Sequence, residues 1–194
     1  MNVLIQSKKY QDIFNTAKDL FWKYGIKRVT IEEICKEAGV SKMTFYKFFR
    51  NKIELAKVIL KIVIGNSLEK FEQIVNGDLD FHDKVKEMFL IKLESTKDIS
   101  VEFISDIYKI QDANLHLIIN EQRKKSLKIF VDFLIDSQKN GLIREDLRIE
   151  FILYYFEQMT HMMDNKDLVA NYDNPQDLIM ESMRFLFYGL FPRK

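Results

Sequence analysis

Cysteine, proline and glycine are all scarce: one cysteine, Cys35, two prolines and six glycines in 194 residues. A lone cysteine can close no internal disulfide and offers no second thiolate to a metal, which fits a reducing compartment. Few helix breakers and no sustained period-two alternation favour a chain of long helices over strands. No long apolar run is present either: Val58 to Ile64 is interrupted by Lys61, far short of the roughly 20 residues needed to span a bilayer. No basic segment followed by an apolar one opens the sequence, so a cytoplasmic location without membrane contact is the expectation. His82, His116 and His161 lack i, i+4 pairing. No nucleophile–base pair, paired carboxylates or phosphate loop stands out, so neither an enzyme, a cofactor nor a metal site is expected.

What is present is apolar and charged material in ordinary proportion, 47% hydrophobic and 30% charged, enough for a packed core. The expected fold class is all-α. The net charge of +1 conceals an asymmetry: residues 1–65 hold 13 Lys and Arg against 6 Asp and Glu, or +7, while the remainder carries −6. A basic end on an acidic body points to an anionic partner at that end, nucleic acid or membrane.

Helical spacing predicts a first helix from about Ser7 to Tyr24, with Gly25 as its C-terminal stop. Thr30-Ile31-Glu32-Glu33 is a capping box opening a short second helix that ends at Gly39. Gly39-Val40-Ser41 is a tight turn, and Ser41 can cap a third helix from about Lys42 to Phe48 or Phe49. Asn51 opens a long fourth helix to about Val75. Further helices are expected near 82–95, 100–111, 114–139, 147–163 and 175–190, with Asn165 to Asn174 as a polar loop, about nine helices in all.

Two short helices joined by a glycine-containing turn form a helix-turn-helix, whose second helix can lie in a major groove. The same turn also serves as a plain αα-corner with a solvated face. Phe45 and Phe49, one turn apart, would anchor the third helix inward. Lys42, Met43, Thr44, Tyr46 and Lys47 are then left outward or at the flanks, suited to phosphates, base edges and a thymine methyl.

The run VTIEEICKEAGVSKMTFYKFFRNK, Val29 to Lys52, together with Ala17, Leu20-Phe21 and Gly25, resembles the DNA-binding domain of the TetR family of bacterial regulators. The resemblance covers about residues 8–60. It implies a three-helix DNA-binding domain at 1–52 and a ligand-binding and dimerisation bundle at 53–194. It also implies DNA contacts by Thr30, Ser41, Lys42, Met43, Thr44, Tyr46, Lys47 and Lys52, with Thr30, Tyr46 and Lys52 on phosphate. Met43 stands where glycine is common in the family, Phe48 where tyrosine is frequent, and Cys35 where alanine is usual, reading as a small core residue.

The aromatic remainder reads first as bundle core. The resemblance adds a small, largely apolar effector whose pocket would draw on Phe89, Phe103, Tyr108, His116, Phe130, Tyr155 and Met159. The last two helices are apolar on more than one side, which argues for a partner. The resemblance implies a four-helix homodimer interface there, assigned to Ile152, Phe156, Ile179, Met183 and Leu186. The expected function is a sequence-specific repressor on a near-palindromic operator in double-stranded DNA. The alternative is a ligand-binding or carrier module whose basic end touches anionic lipid.

Overall fold

Local stop signals become helix ends in the computed structural model, which describes residues 7–191 apart from the side chains of residues 160, 164 and 166. The helices are α1 (Lys8–Tyr24), α2 (Ile31–Glu37), α3 (Lys42–Phe48), α4 (Lys52–Asn76), α5 (Phe81–Ser95), α6 (Val101–Lys109), α7 (Ala113–Lys139), α8 (Ile149–His161), α9 (Lys166–Val169) and α10 (Pro175–Leu190). No strand occurs among the described residues, and the fold is all-α. Ser7, Thr30, Ser41, Asp80, Ser100 and Asn174 each accept an amide proton at a helix start, satisfying donors that have no partner within the helix.

The expected loop from Asn165 to Asn174 contains one helical turn, α9. The side chain of Asn165 caps it by accepting the Leu168 amide at 3.1 Å, a local bond that polarity alone does not reveal. A 3-10 turn, Met162–Asp164, follows α8.

The chain divides by contact into two units, one of Met1–Val63 with Asp98–Ile119 and the other of Ile64–Lys97 with Asn120–Lys194. This grouping differs from a division at residue 52. Residues 98–119 join the first unit because α6 is built into it. Trp22 packs on Phe103 with ring centroids 4.2 Å apart, and the Ser100 amide donates to the Trp22 carbonyl at 2.8 Å. Ile13, Ala17, Phe21, Ile34, Phe45, Leu55 and Ile59 are fully buried at the inward spacings of α1 to α4, and Ile26 is fully buried in the α1–α2 connection. Lys57 of α4 pairs with Glu54 at 2.8 Å and with Asp112, at the start of α7, at 3.0 Å.

In the second unit Phe81, Met88, Phe130, Leu134, Ile152, Leu186 and Phe187 form one apolar cluster. Its rings interlock: Phe81 stacks on Phe133 at 5.7 Å, and Phe130 meets Phe156 at 5.0 Å. Among the described residues no helix is long and apolar enough to cross a membrane.

Candidate nucleic-acid interface

The turn between α2 and α3 is held by backbone bonds. Gly39 takes φ +65, its amide donates to the Lys36 carbonyl, and the Val40 amide donates to Cys35 at 2.9 Å. This reversed pair is a Schellman closure, which needs the left-handed conformation that glycine adopts without strain. Cys35 is buried beneath it. Ser41 then starts α3, its Oγ accepting the Thr44 amide at 3.1 Å.

Phe45 and Phe49 are buried and pin α3 from below, with Tyr10 of α1 lying 5.2 Å from Phe49. Consequently Lys42, Met43, Tyr46 and Lys47 stand in solvent, with Thr44 half-buried beside them. Met43 is 72% and Tyr46 55% exposed, a degree of exposure that no core role explains for side chains of this size. Phe48 is half-buried, its ring edge-on to Tyr10 at 5.6 Å, so this position faces α1.

Around this face the polar groups are already organised. Thr30 and Glu33 form the full capping box: the Glu33 amide donates to Thr30 Oγ1 at 3.1 Å and the Thr30 amide to Glu33 Oε2 at 2.8 Å. The Thr30 amide, and then its hydroxyl, hold the Glu33 carboxyl below the usual carboxylate range. Lys42 is ion-paired with Glu32. That bond raises the Lys42 ammonium and lowers the Glu32 carboxyl. Arg28 lies over the Tyr24 ring, 4.4 Å from its centroid.

Lys52 has partners that residue spacing does not reveal. Its Nζ donates to the carbonyls of Lys27 at 2.6 Å and Val29 at 2.7 Å, and burial pushes its ammonium down from the ordinary lysine range. Asp106 of α6 lies outside the sequence-based set. It accepts the Lys27 amide at 2.7 Å across 79 residues of sequence, a separation over which no local pattern carries a signal.

The seven expected ligand-site residues are divided between the two units. Phe103, Tyr108 and His116 belong to the first unit. Phe103 is buried on Trp22, Tyr108 is exposed, and His116 Nε2 lies 2.8 Å from the Ile110 carbonyl. Phe89, Phe130, Tyr155 and Met159 belong to the second unit and pack in or against its apolar cluster. A groove of about 360 Å³ between α4 and α7 of that unit is lined by none of the seven, but by Leu68, Val75, Ile129, Lys125, Lys128 and their neighbours.

The five expected dimer residues lie at different depths. Ile152 and Leu186 are 2% and 6% exposed, inside the apolar cluster of their own chain. Phe156 and Met183 are half-buried against that cluster, and Ile179 is also half-buried. The exposed large apolar side chains of α8 and α10 are Phe151, Tyr154, Phe185 and Tyr188. Because both helices are apolar nearly all round, periodicity offers two faces, and packing within the chain consumes the one that carries Ile152 and Leu186.

Comparison with known proteins agrees with this construction. Residues 13–59 match the family model for bacterial regulatory proteins of the tetR family. The uncharacterised HTH-type transcriptional regulator YvkB of Bacillus subtilis (strain 168) is 29% identical over 181 residues, covering 90% of this chain and 93% of that protein. Among solved structures, regulatory protein TetR from Rhodobacter sphaeroides aligns with a TM-score of 0.74 at 14% identity, covering 95% of this chain and all of that one. FadR from Bacillus subtilis, in complex with stearoyl-CoA, aligns at 0.68 with 18% identity, covering 93% and 99%. Residues 13–59 thus match the DNA-binding domain of bacterial regulatory proteins of the tetR family, and over nearly its whole length the chain is similar to HTH-type transcriptional regulators.

Proposed function

We propose that this regulator binds a near-palindromic DNA site as a homodimer, represses from it, and is released by a small, largely apolar effector taken up by the second unit, all in the cytoplasm. The observation that carries the DNA reading is the outward face of α3, where Met43, Tyr46 and Lys47 are exposed above the buried Phe45 and Phe49. A helix so presented can enter a major groove, with lysine on phosphate or guanine and Met43 against a thymine methyl. Thr30 and Ser41 stand at helix N-termini, where amide donors and the helix dipole favour an anion.

In a two-fold dimer the two recognition helices reach successive major grooves about 34–36 Å apart. An effector releases the site only if it binds better to the form whose helices no longer match that spacing. The likeness to a FadR that holds stearoyl-CoA supports an effector with a long apolar part, and Lys125 and Lys128 at the groove offer cations to an anionic head.

Selection of duplexes from a random pool by the full-length protein tests the reading. Enrichment of a two-fold symmetric sequence is expected, and binding that is indifferent to sequence but follows anionic vesicles would replace it with the lipid-touching module. Native mass spectrometry of the purified protein then identifies any bound effector. Met43→Gly is expected to leave unfolding unchanged and to alter the bases selected opposite α3, since it removes the one large apolar side chain at the start of that helix. An identical selected sequence would remove Met43 from base reading.

A further inference from the structure

The backbone of Lys27 is held by opposite charges at its two ends. Its amide donates to Asp106 Oδ2 at 2.7 Å, and its carbonyl accepts from Lys52 Nζ at 2.6 Å. Lys52 also reaches the Val29 carbonyl at 2.7 Å. The Lys27 ammonium adds a longer tie of 3.5 Å to the carbonyl of Lys109, at the end of α6. Hydrogen bonds in which one partner is charged are stronger than neutral ones, and those to buried groups are costly to lose. Ile26 and Val29 on either side are buried. Residues 26–29 are therefore fixed by side chains below and by charges along the backbone.

What that segment leads to is Thr30, the N-cap of α2. A shift of the Lys27 to Val29 backbone moves the Thr30 hydroxyl and the free amides of the first turn together. Two of the three Lys52 ammonium protons are already spent on carbonyls. Turning this side chain to a phosphate would strip both acceptors of a charged partner.

We propose that Lys52 and Asp106 form a charge bracket on the Lys27 backbone, one on each of its two flanking peptide groups, that sets α2 for DNA, and that both are positioning residues, Lys52 making no phosphate contact of its own. The inference rests on the DNA-binding reading above, and it reassigns Lys52 within it.

Two measurements on the full-length protein separate the alternatives. The first needs no DNA: amide hydrogen exchange at Lys27. Asp106→Asn and Lys52→Met are each expected to speed exchange at Lys27 at least tenfold while leaving the Phe45 amide in α3 unchanged. An unaltered Lys27 rate would overturn the bracket whether or not the protein binds DNA. The second is affinity for a selected duplex as a function of salt. Loss of one phosphate contact flattens the dependence of log K on log salt by about 0.9. Loss of positioning lowers affinity at every salt concentration with the slope kept. Both single variants are expected to bind about tenfold more weakly with the parent slope, and the double variant to lose less than the product of the two, as for residues acting through one short backbone segment. Lys47→Met, removing an exposed charge, is the control expected to flatten the slope.

A slope reduced by about one in Lys52→Met, with Asp106→Asn neutral, would overturn the proposal in favour of a phosphate contact. Should Lys52→Met fail to fold, Lys52→Arg keeps the charge but not the compact ammonium that reaches two carbonyls. It is expected to show the same weakened binding, whereas wild-type affinity in Lys52→Arg would overturn the bracket.

Discussion

Gly25→Ala is expected to lower the stability of the first unit by about 3 kcal/mol and to weaken DNA binding with it. Gly25 ends α1 with φ 84 and ψ 155, a conformation essentially restricted to glycine, where a side chain costs on the order of 1–3 kcal/mol. Space is lacking as well. A Cβ there would lie 2.8 Å from Asp106 Oδ2, 3.1 Å from Glu102 Cβ and 3.3 Å from the Glu102 backbone carbon. The carboxylate cannot yield without releasing the Lys27 amide, and the backbone of α6 can yield only by moving the helix. The strain therefore falls on the contact that brings α6 to the α1–α2 connection.

Trp22 is the only tryptophan of the chain and packs on Phe103 of α6, so its fluorescence during urea unfolding reports this unit directly. A lower midpoint is expected. Gly39→Ala makes the contrast: a Cβ at that position would meet nothing within 4 Å, and only the positive φ of +65 is penalised, at roughly 1–2 kcal/mol. Equal midpoints for the two variants would show that the crowding at Gly25 has no energetic weight.

Phe185→Glu is expected to separate the proposed homodimer into monomers. On α8 and α10, Phe151, Tyr154, Phe185 and Tyr188 are 57%, 62%, 68% and 73% exposed, and Tyr155 and Phe185 bring the two helices together with ring centroids 5.9 Å apart. Fully burying one such side chain is worth about 1.5–3 kcal/mol, so four of them left in water favour a second copy that covers them. Buried aromatic anchors in interfaces cost about 2 kcal/mol or more when removed, which corresponds to roughly a thirtyfold rise in the dimer dissociation constant. A glutamate adds the cost of desolvating a charge.

Sedimentation over a range of protein concentration measures this shift. Binding to a two-fold symmetric duplex is expected to weaken in parallel, because the half-sites are then no longer engaged together. Met43→Glu places the same charge on an exposed apolar residue of the first unit and is expected to leave the dimer intact. A Phe185→Glu protein that remains dimeric would move the interface elsewhere on the chain.

The helix ends, the capping box and the anchoring of α3 are readable from residue spacing because the interactions that create them span only a few positions. Thr30 with Glu33, Ser41 with Thr44, and Gly39 with the carbonyl of Lys36 all fall within four residues of one another. The DNA-binding run is legible for the same reason: its turn, its anchors and its outward side chains lie in one continuous stretch. Four features are not. The second partner of Lys57, the partners of Lys52, the role of Asp106 and the split of the expected ligand residues between two units all depend on segments that return from far along the chain.

The sequence therefore determined that this is an all-α protein with a helix-turn-helix near its N-terminus, since hydrophobic period and capping chemistry act locally. Only the tertiary structure decided which face of each apolar helix was used up inside the chain and which was left outward. For α8 and α10 both faces carry aromatic and aliphatic residues, and a period of 3.6 cannot rank two apolar stripes. Packing placed Ile152 and Leu186 in the core and left Phe151, Tyr154, Phe185 and Tyr188 in solvent. In the same way, a lysine whose position in the sequence suggests a phosphate is committed to two carbonyls by the path of the chain around it.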